Sequence, residues 1–547
     1  MSKKLRKVCA LGMAAVMAMG ISLPAAAEEA PAWEPFEETV EITIPVYDRG
    51  IEGVPDVENN YWTNWIQENF GDKYNIKVNY VAIPRTDVLT KYNMLAAGDD
   101  LPTVLMEYDY PKVTQWANDG FLQTFDMEAF AEVAPTYYNR MVENNQLTYT
   151  KINGETYFCA ALRPYYDTTY TFQNFYRADW LEQIGYDHYP ANRAEYVDVM
   201  TKIMDAGIAE HPGGDVVMIT GVGADQNYSY RTWPLDEEEW AMYGDYNIVA
   251  LGWEPNYKLL KIANENYNLG ITDPEYYLTG TEDQKTNFIN GKTFSYGGYI
   301  SSSMEWLNAF YEANPDAKLA IQPVNATIDE EAGTNPGYRT DNPFGMIIGF
   351  SKDATEDQLK AAWMYMEWLT QEENLFTFQW GIEGENYNLD ENGLPVTVSD
   401  YKGESTQGFS NNKDYWCITI EARQAGTIED VISNNMPHDL PQDFTEDVIN
   451  WYYDKCKVRD AGWAIANALY SVAIEAESEY QKTLENLYKE YRDKLTMCPT
   501  EEFDDLYNEL AEAYADAGWQ EILDERKEAY EGTFVTTPNN PQTPIIN

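Results

Sequence analysis

Histidine, cysteine and basic residues are all scarce in this sequence. Three His, five Cys and 37 Lys plus Arg stand against 91 Asp plus Glu in 547 residues, a formal charge of −54 at pH 7. A field of that sign repels a phosphate backbone, which excludes a nucleic-acid binder, and it opposes attachment to an anionic bilayer through basic patches. His188, His211 and His438 are isolated, with no H-E-x-x-H pair and no Cys/His cluster, so no metal centre is expected. Asn388-x-Asp390-x-Asn392-Gly393 imitates the start of a calcium loop, but its twelfth position is Ser399 and its flanks read as strands, so it is read as a hairpin turn. Catalytic signatures are missing too: no G-x-S-x-G, no Walker A, and a Gly221-Val-Gly223-Ala-Asp225 loop without phosphate-binding context. No cofactor is expected.

The one long apolar run is N-terminal. Lys3, Lys4, Arg6 and Lys7 precede an apolar stretch from Val8 to Leu23, and Ala25-Ala26-Ala27 lies just before Glu28. This is the pattern of a cleaved signal peptide over residues 1–27, too short to span a bilayer, and the mature chain is expected to be exported. Cys9 leaves with it. Cys159, Cys417, Cys456 and Cys498 remain, sparse and without C-x-x-C; three pairings are open, and buried free thiols are favoured.

What is abundant is aromatic and apolar: 16 Trp, 43 Tyr and 44% hydrophobic residues, enough for two large lobes or three smaller units. Glu41–Val46 alternates as a strand, Tyr61–Phe70 reads as a helix, Tyr74–Ile83 as a strand, Arg85–Ala97 as a helix and Thr103–Met106 as a strand. That alternation predicts βαβ units and a largely parallel sheet. Asp179–Ile184 and Ala194–Ala206 read as helices and Phe294–Tyr299 as a strand. Thr355 to Gln358 forms a capping box, and Leu359, Ala362, Trp363, Met366 and Leu369 mark one buried helix face. Ala464–Lys494 and Glu501–Tyr530 read as long amphipathic helices, with Gly518 inside the second.

Four segments, in order, resemble one family. They are Lys91-Tyr-Asn-Met-Leu-Ala-Ala-Gly98-Asp-Asp-Leu-Pro102, Ala117-Asn-Asp-Gly120-Phe-Leu, Tyr176-Arg177-Ala-Asp179-Trp180-Leu-Glu-Gln-Ile-Gly185, and Trp380-Gly-Ile-Glu-Gly384-Glu-Asn-Tyr387 with Gly393-Leu-Pro395. Together they resemble the solute-binding proteins of ABC importers, in the oligosaccharide group that includes the alginate-binding proteins. The resemblance implies an α/β, two-lobed periplasmic-binding-protein fold (type II-like) with a ligand cleft at the hinge, and chain crossings near 165–172, 321–326 and 390–400. It implies a linker over 28–40, a first lobe from 41–168 plus 325–395, and a second lobe from 169–324 plus 396–531 with a helical C-terminal extension. The tail over 532–547 is expected to be disordered. Position 28 is Glu where lipoproteins of the family carry Cys, so a lipid anchor is not implied. Residues 205–215 lack the alternating oxygen ligands of the group's calcium loop, so calcium is not carried over.

Sugar rings stack on flat aromatic faces while their hydroxyls need polar partners, and ligands of open α/β sheets gather at strand ends. The ligand-binding candidates are therefore Asp48 and Arg49 after the first strand, Trp62, then Tyr108 and Tyr110 after the third. Arg163, Tyr165 and Tyr166 stand near the first crossing. Arg231, Trp233, Tyr296, Tyr299, Arg339 and Trp416 complete the set. Each aromatic has packing as its competing role. The four arginines suit a carboxylate, but the acidic field favours a neutral oligosaccharide over an acidic one.

The expected function is capture of an oligosaccharide for an ABC permease, by a monomer at the extracellular face of the cytoplasmic membrane, without catalysis. The competing readings are a secreted glycoside hydrolase, since composition excludes no carboxylate pair, and a surface protein that binds peptide or polymer.

Overall fold

The computed structural model describes residues 32–536 apart from 51–55, 164–171, 215–235, 245–247, 301–303, 305, 325–337, 340–341, 343, 392, 399–413, 421–426, 438–439, 459, 461–463 and 466. The signal-peptide region and all three expected crossings lie at least partly outside these residues.

Eight strands organise the fold: β1 (Val40–Asp48), β2 (Ile76–Pro84), β3 (Val104–Glu107), β4 (Phe158–Ala160), β5 (Phe172–Arg177), β6 (Ser295–Tyr299), β7 (Leu319–Ile321) and β8 (Ile347–Phe350). β1 and β2 are parallel, from Val40 opposite Ile76 to Asp48 opposite Pro84. Ile42, Ile44 and Val46 of β1 are buried at alternate positions, each side chain contributing about 1.5–3 kcal/mol. The expected parallel run stops there. β3 pairs antiparallel with β8, and β8 antiparallel with β4, giving the order β3-β8-β4. β8 follows β3 by more than two hundred residues, a partnership that local periodicity does not carry. Thr43 N donates to Thr103 Oγ1 at 3.0 Å and ties β1 to the start of β3. A second antiparallel sheet has the order β6-β5-β7.

Helices pack on these sheets or on one another: α1 (Tyr61–Ile66), α2 (Val88–Ala97), α3 (Tyr110–Asn118), α4 (Ala178–Ile184), α5 (Trp306–Ala313), α6 (Glu356–Thr370), α7 (Glu475–Met497), α8 (Phe503–Tyr514) and α9 (Gln520–Thr533). α6 starts as its sequence directs: Thr355 Oγ1 accepts from Gln358 N and Gln358 Oε1 accepts from Thr355 N. Its five marked apolar residues are all buried. α1 is shorter than expected, because the chain opens into a π turn over Gln67–Gly71. The Gln67 amide there binds Ile76 O and Val78 N at the start of β2.

The two ends of the described chain correct three expectations. α7 begins at Glu475 rather than Ala464, because residues before it are extended. Leu469 N donates to Thr536 Oγ1, and Val535 N returns a bond to Leu469 O. The end of the chain is thus ordered through Thr536, which is fully buried; residues 537–547 lie outside the description. The described part of the expected 28–40 linker, from residue 32, is also anchored, since Trp33 Nε1 donates to Val133 O and Phe36 N to Tyr74 O. Gly518, at φ +124°, lets the turn between α8 and α9 pass Tyr480, whose ring would meet a Cβ at 2.2 Å. Arg526, 1% exposed, joins α9 to Glu477 and to Met242 O, each at 2.7 Å.

The apolar residues form separate cores. The first takes β1–β4, β8 and α6, together with Tyr415–Cys417, Ile418 and Ile420. This corrects the assignment of 396–531 to the second lobe: Leu162 N donates to Thr419 O, so residues 415–420 pack with the first body. Two further cores lie on opposite faces of the β6-β5-β7 sheet, one around Phe175 and one around Tyr176. Another joins 240–260 to α7–α9. Cys159, Cys417, Cys456 and Cys498 are free thiols. Tyr387–Leu389 pairs antiparallel with Pro395–Thr397, the expected hairpin. Among the described residues, no helix is long and apolar enough to cross a membrane, and no group of three or more His, Cys, Asp or Glu is placed to hold a metal ion.

Candidate ligand-binding site

The C-terminal ends of β1, β2 and β3 lie side by side and deliver Tyr47 to Arg49, Arg85, and Glu107 to Asp109 to one place. Arg85 N donates to Asp48 O at 2.8 Å, holding the turn after β2 against the end of β1. The Arg85 guanidinium lies 4.9 Å from the Tyr47 ring centre and 5.6 Å from that of Tyr108. The two rings are stacked, 6.1 Å apart and 25° from parallel. Tyr47 is buried and forms the floor, whereas Tyr108 is half-buried.

Each cation here faces a carboxylate. Arg49 Nε and Nη2 each lie 2.8 Å from one oxygen of Asp414. Lys112 Nζ lies 2.9 Å from Asp109 Oδ2. Arg85 Nη1 lies 3.9 Å from Glu107 Oε1, an ion pair too long for a direct hydrogen bond. Glu107 is 1% exposed; its Oε1 accepts from Tyr108 N at 2.8 Å, and among the described residues its Oε2 has no hydrogen-bond partner. Burial opposes the Arg49 charge, but Asp414 outweighs it and holds the guanidinium above its ordinary range. For Arg85, burial is outweighed by Tyr47, Glu107 and Tyr108, and for Lys112 by Asp109 and Glu107. Burial, then Glu107, pushes the Tyr47 phenol well up, so it stays neutral. The result is a charged but balanced surface, with guanidinium donors set beside a carboxylate acceptor.

The profile of the family described as bacterial extracellular solute-binding proteins matches residues 56–375, more than half of the chain. The chain belongs to that family. A search of curated proteins finds no match. Solved structures show the fold of this solute-binding protein to be the two-lobed α/β one. An HMO binding ABC-transporter associated solute binding protein from Bifidobacterium longum infantis is 13% identical, with a TM-score of 0.60 over 90% of this chain and 99% of that one. The alginate-binding protein AlgQ2 without calcium ion is 13% identical, with a TM-score of 0.59 over 91% and 99%. The S. pneumoniae ABC-transporter substrate binding protein FusA, in complex with kestose, is 13% identical, with a TM-score of 0.57 over 90% and 99%.

Of the residues expected from sequence to bind ligand, Asp48, Arg49 and Tyr108 come together in this solute-binding protein. Arg163 follows β4, which runs parallel to β3 across β8, so it leaves the sheet on the same edge. Trp62, Tyr110 and Trp416 are corrections. All three are at most 1% exposed, and a ring closed off in a core offers no face to a sugar. Trp62 stacks on Phe378 at 4.8 Å, and Tyr110 packs on Phe344 at 5.6 Å. Tyr296 lies edge-on to Trp306 at 5.1 Å and packs the second sheet. Tyr165, Tyr166, Arg231 and Trp233 lie outside the described residues. Tyr299 ends β6, and Arg339 pairs with Ile465, but their side chains are likewise outside the description.

Arg85, Glu107, Lys112 and Asp414 were not expected. Arg85 follows β2 as Arg49 follows β1, but the sequence reads it as the first residue of a helix that in fact begins at Val88. A polar cavity of about 630 Å³ lies at the far end of β5, lined in part by Arg177, Asp179, Glu182 and Lys318. Arg177 is bound in two-point fashion to Asp179, and Lys318 is paired with Glu182. Those residues include part of the Tyr176–Gly185 motif and tie α4 to the sheet.

Proposed function

We propose that this solute-binding protein captures a neutral oligosaccharide outside the cell and presents it to an ABC permease, without catalysing a reaction. The observation that carries the reading is the pairing of Arg49 with Asp414, Arg85 with Glu107 and Lys112 with Asp109 at the strand ends. Among the described residues, each of these three cations already faces a protein carboxylate, which leaves it less able to neutralise a carboxylate on a ligand. Hydroxyls, in contrast, accept from Arg85 and donate to carboxylate oxygens while the half-buried Tyr108 offers an apolar ring. Three structural relatives carry HMO, alginate or kestose in their descriptions, which supports a glycan class.

The body around β1–β4 and β8 serves as one lobe and the β6-β5-β7 body as the other. Their closure around the sugar creates the shape a permease reads. The chain acts as a monomer, exported by its N-terminal signal and held at the outer face of the cytoplasmic membrane. Thermal shift and calorimetry of the mature chain test the reading, with neutral glycans, uronic-acid glycans and short peptides as ligands. A neutral oligosaccharide of a few units should raise Tm and be recovered intact. Tighter binding of uronic acids overturns the charge argument; a response to peptides alone, or released product, overturns the function.

A further inference from the structure

The cavity at the far end of β5 is bordered by a donor and an acceptor that the fold fixes in place and leaves unused. Arg177, the last residue of β5, is 8% exposed and lines the cavity. Its Nε and Nη2 donate to the two oxygens of Asp179 at 2.9 and 2.7 Å. Its guanidinium carbon lies 4.6 Å from the Trp180 ring centre and 5.6 Å from that of Phe310. The group is held by a planar two-point bond and by rings. Its third nitrogen, Nη1, makes no hydrogen bond among the described residues, so Nη1 is what Arg177 offers the cavity.

Asn314 supplies the matching acceptor. It follows α5, and its Nδ2 donates to Ile289 O at 2.7 Å and to Phe310 O at 3.0 Å. Two carbonyls facing the nitrogen fix which end of the amide is which, and Oδ1 has no partner among the described residues. Gly291, at φ +70°, keeps a side chain out of the space beside both groups. A Cβ there would lie 3.2 Å from Asn314 Oδ1 and 3.5 Å from Arg177 Nη1, so donor and acceptor border one open spot. The charges around it are already matched. Lys318 Nζ binds both oxygens of Glu182, at 2.9 and 2.7 Å, and Asp316 is exposed without an ion pair among the described residues. An acidic rim whose two cations are paired opposes a phosphate or carboxylate ligand. The volume of about 630 Å³ is that of a small-molecule site.

We propose that this cavity is a second ligand site, separate from the strand-end site, and that it takes an uncharged sugar unit. A hydroxyl is the group that both accepts from Arg177 Nη1 and donates to Asn314 Oδ1. The Gln183 amide and the Asp316 carboxylate, both exposed on the cavity wall, serve neighbouring hydroxyls. Phe172, where β5 takes up the chain coming from the first body, lies about 17 Å back along the strand from Arg177. The cavity therefore opens away from the links between the bodies, and its ligand enters without any movement of one body against the other. Occupancy here is independent of what the strand-end site binds.

The test uses the mature full chain labelled with 5-fluorotryptophan, with the Trp180 resonance assigned by its loss in Trp180→Phe. Trp180 is 3% exposed and lies against the Arg177 guanidinium, so its fluorine signal reports the cavity. Glucose, inorganic phosphate and N-acetylglycinamide are titrated separately. Glucose should move the resonance with a millimolar Kd, the strength expected of a few hydrogen bonds, and phosphate should not. Gln183→Phe fills the cavity from an exposed position of α4 and should weaken the glucose response about tenfold or more. Arg177→Lys removes Nη1 and should do the same; if R177K does not fold, Q183F decides alone. A signal that glucose leaves in place, a stronger response to phosphate or to the amide, or an unchanged response in Q183F overturns the proposal. If the strand-end site binds no glycan while Trp180 still responds to glucose, the functional reading falls and this site stands.

Discussion

Arg49 and Asp414, 365 positions apart, meet in a two-point ion pair with both contacts at 2.8 Å. Asp414 is 1% exposed at its side chain and Arg49 24%, so the carboxylate is the buried partner. The neighbouring Tyr415 bonds Val57 O and Asn60 Nδ2 through its hydroxyl, both at 2.6 Å. The segment from Asp414 is thereby pinned across the ends of β1 and α1, and the Arg49 charge is consumed.

Asp414→Asn should therefore do two things. It leaves Arg49 without its counter-charge and costs about 3 kcal/mol of stability, measured by urea unfolding. It also releases a guanidinium at the strand ends, so binding of a uronic-acid glycan should improve relative to a neutral one. A variant whose preference between the two is unchanged would show that Arg49 does not face the ligand.

Arg85→Met should weaken glycan binding by about tenfold or more while changing Tm little. Arg85 is partly exposed, and its loose ion pair with Glu107 contributes little to the fold. Calorimetry on the variant decides this, and a large drop in Tm with unaltered Kd would assign Arg85 to packing on Tyr47 and Tyr108.

Glu367 predicts a pH dependence. It is buried, accepts from Tyr137 N at 3.0 Å and from Gln371 Nε2 at 2.7 Å, and burial raises its carboxyl above the ordinary 4.5. A raised carboxyl contributes fully below its unfolded value, and the contribution is lost as pH rises through the folded value. Glu367→Gln does not titrate, so its stability relative to wild type should improve between about pH 4 and pH 7. Urea midpoints at the two pH values measure the change, and a constant difference would count against it.

Thiol chemistry gives another outcome. Burial pushes the Cys456 thiol up to about 11 and that of Cys159 well above its usual range. Neither should react with iodoacetamide in the folded protein at neutral pH. After denaturation without reductant, mass spectrometry should find four alkylated cysteines in the mature chain, Cys159, Cys417, Cys456 and Cys498. A missing pair of adducts would reveal a disulfide.

Several features were legible because their signals are local. The capping box from Thr355 to Gln358 acts over one helical turn and appears as read. β1 and β2 alternate within themselves and pair as a βαβ unit should. The rule that ligands gather at strand ends pointed to Asp48, Arg49 and Tyr108, which the fold brings together, and it passed over the neighbouring Arg85 because the helix start was placed three residues early. Trp62 and Trp416 were misjudged for a different reason. An aromatic near a strand end has the same composition whether its ring turns outward or inward, and both turn inward here.

The sequence by itself determined the acidic field, the family motifs, most element positions and the kind of residue available at the strand ends. These follow from charge count, from periodicity and from caps that reach only a few residues. Tertiary structure alone decided that β8 lies between β3 and β4, that Asp414 closes on Arg49, and that residues 415–420 pack with the first core. Each of these joins or encloses residues far apart in the chain. Their cost is paid in loop-closure entropy and returned by packing, and neither quantity is written in any local stretch of sequence.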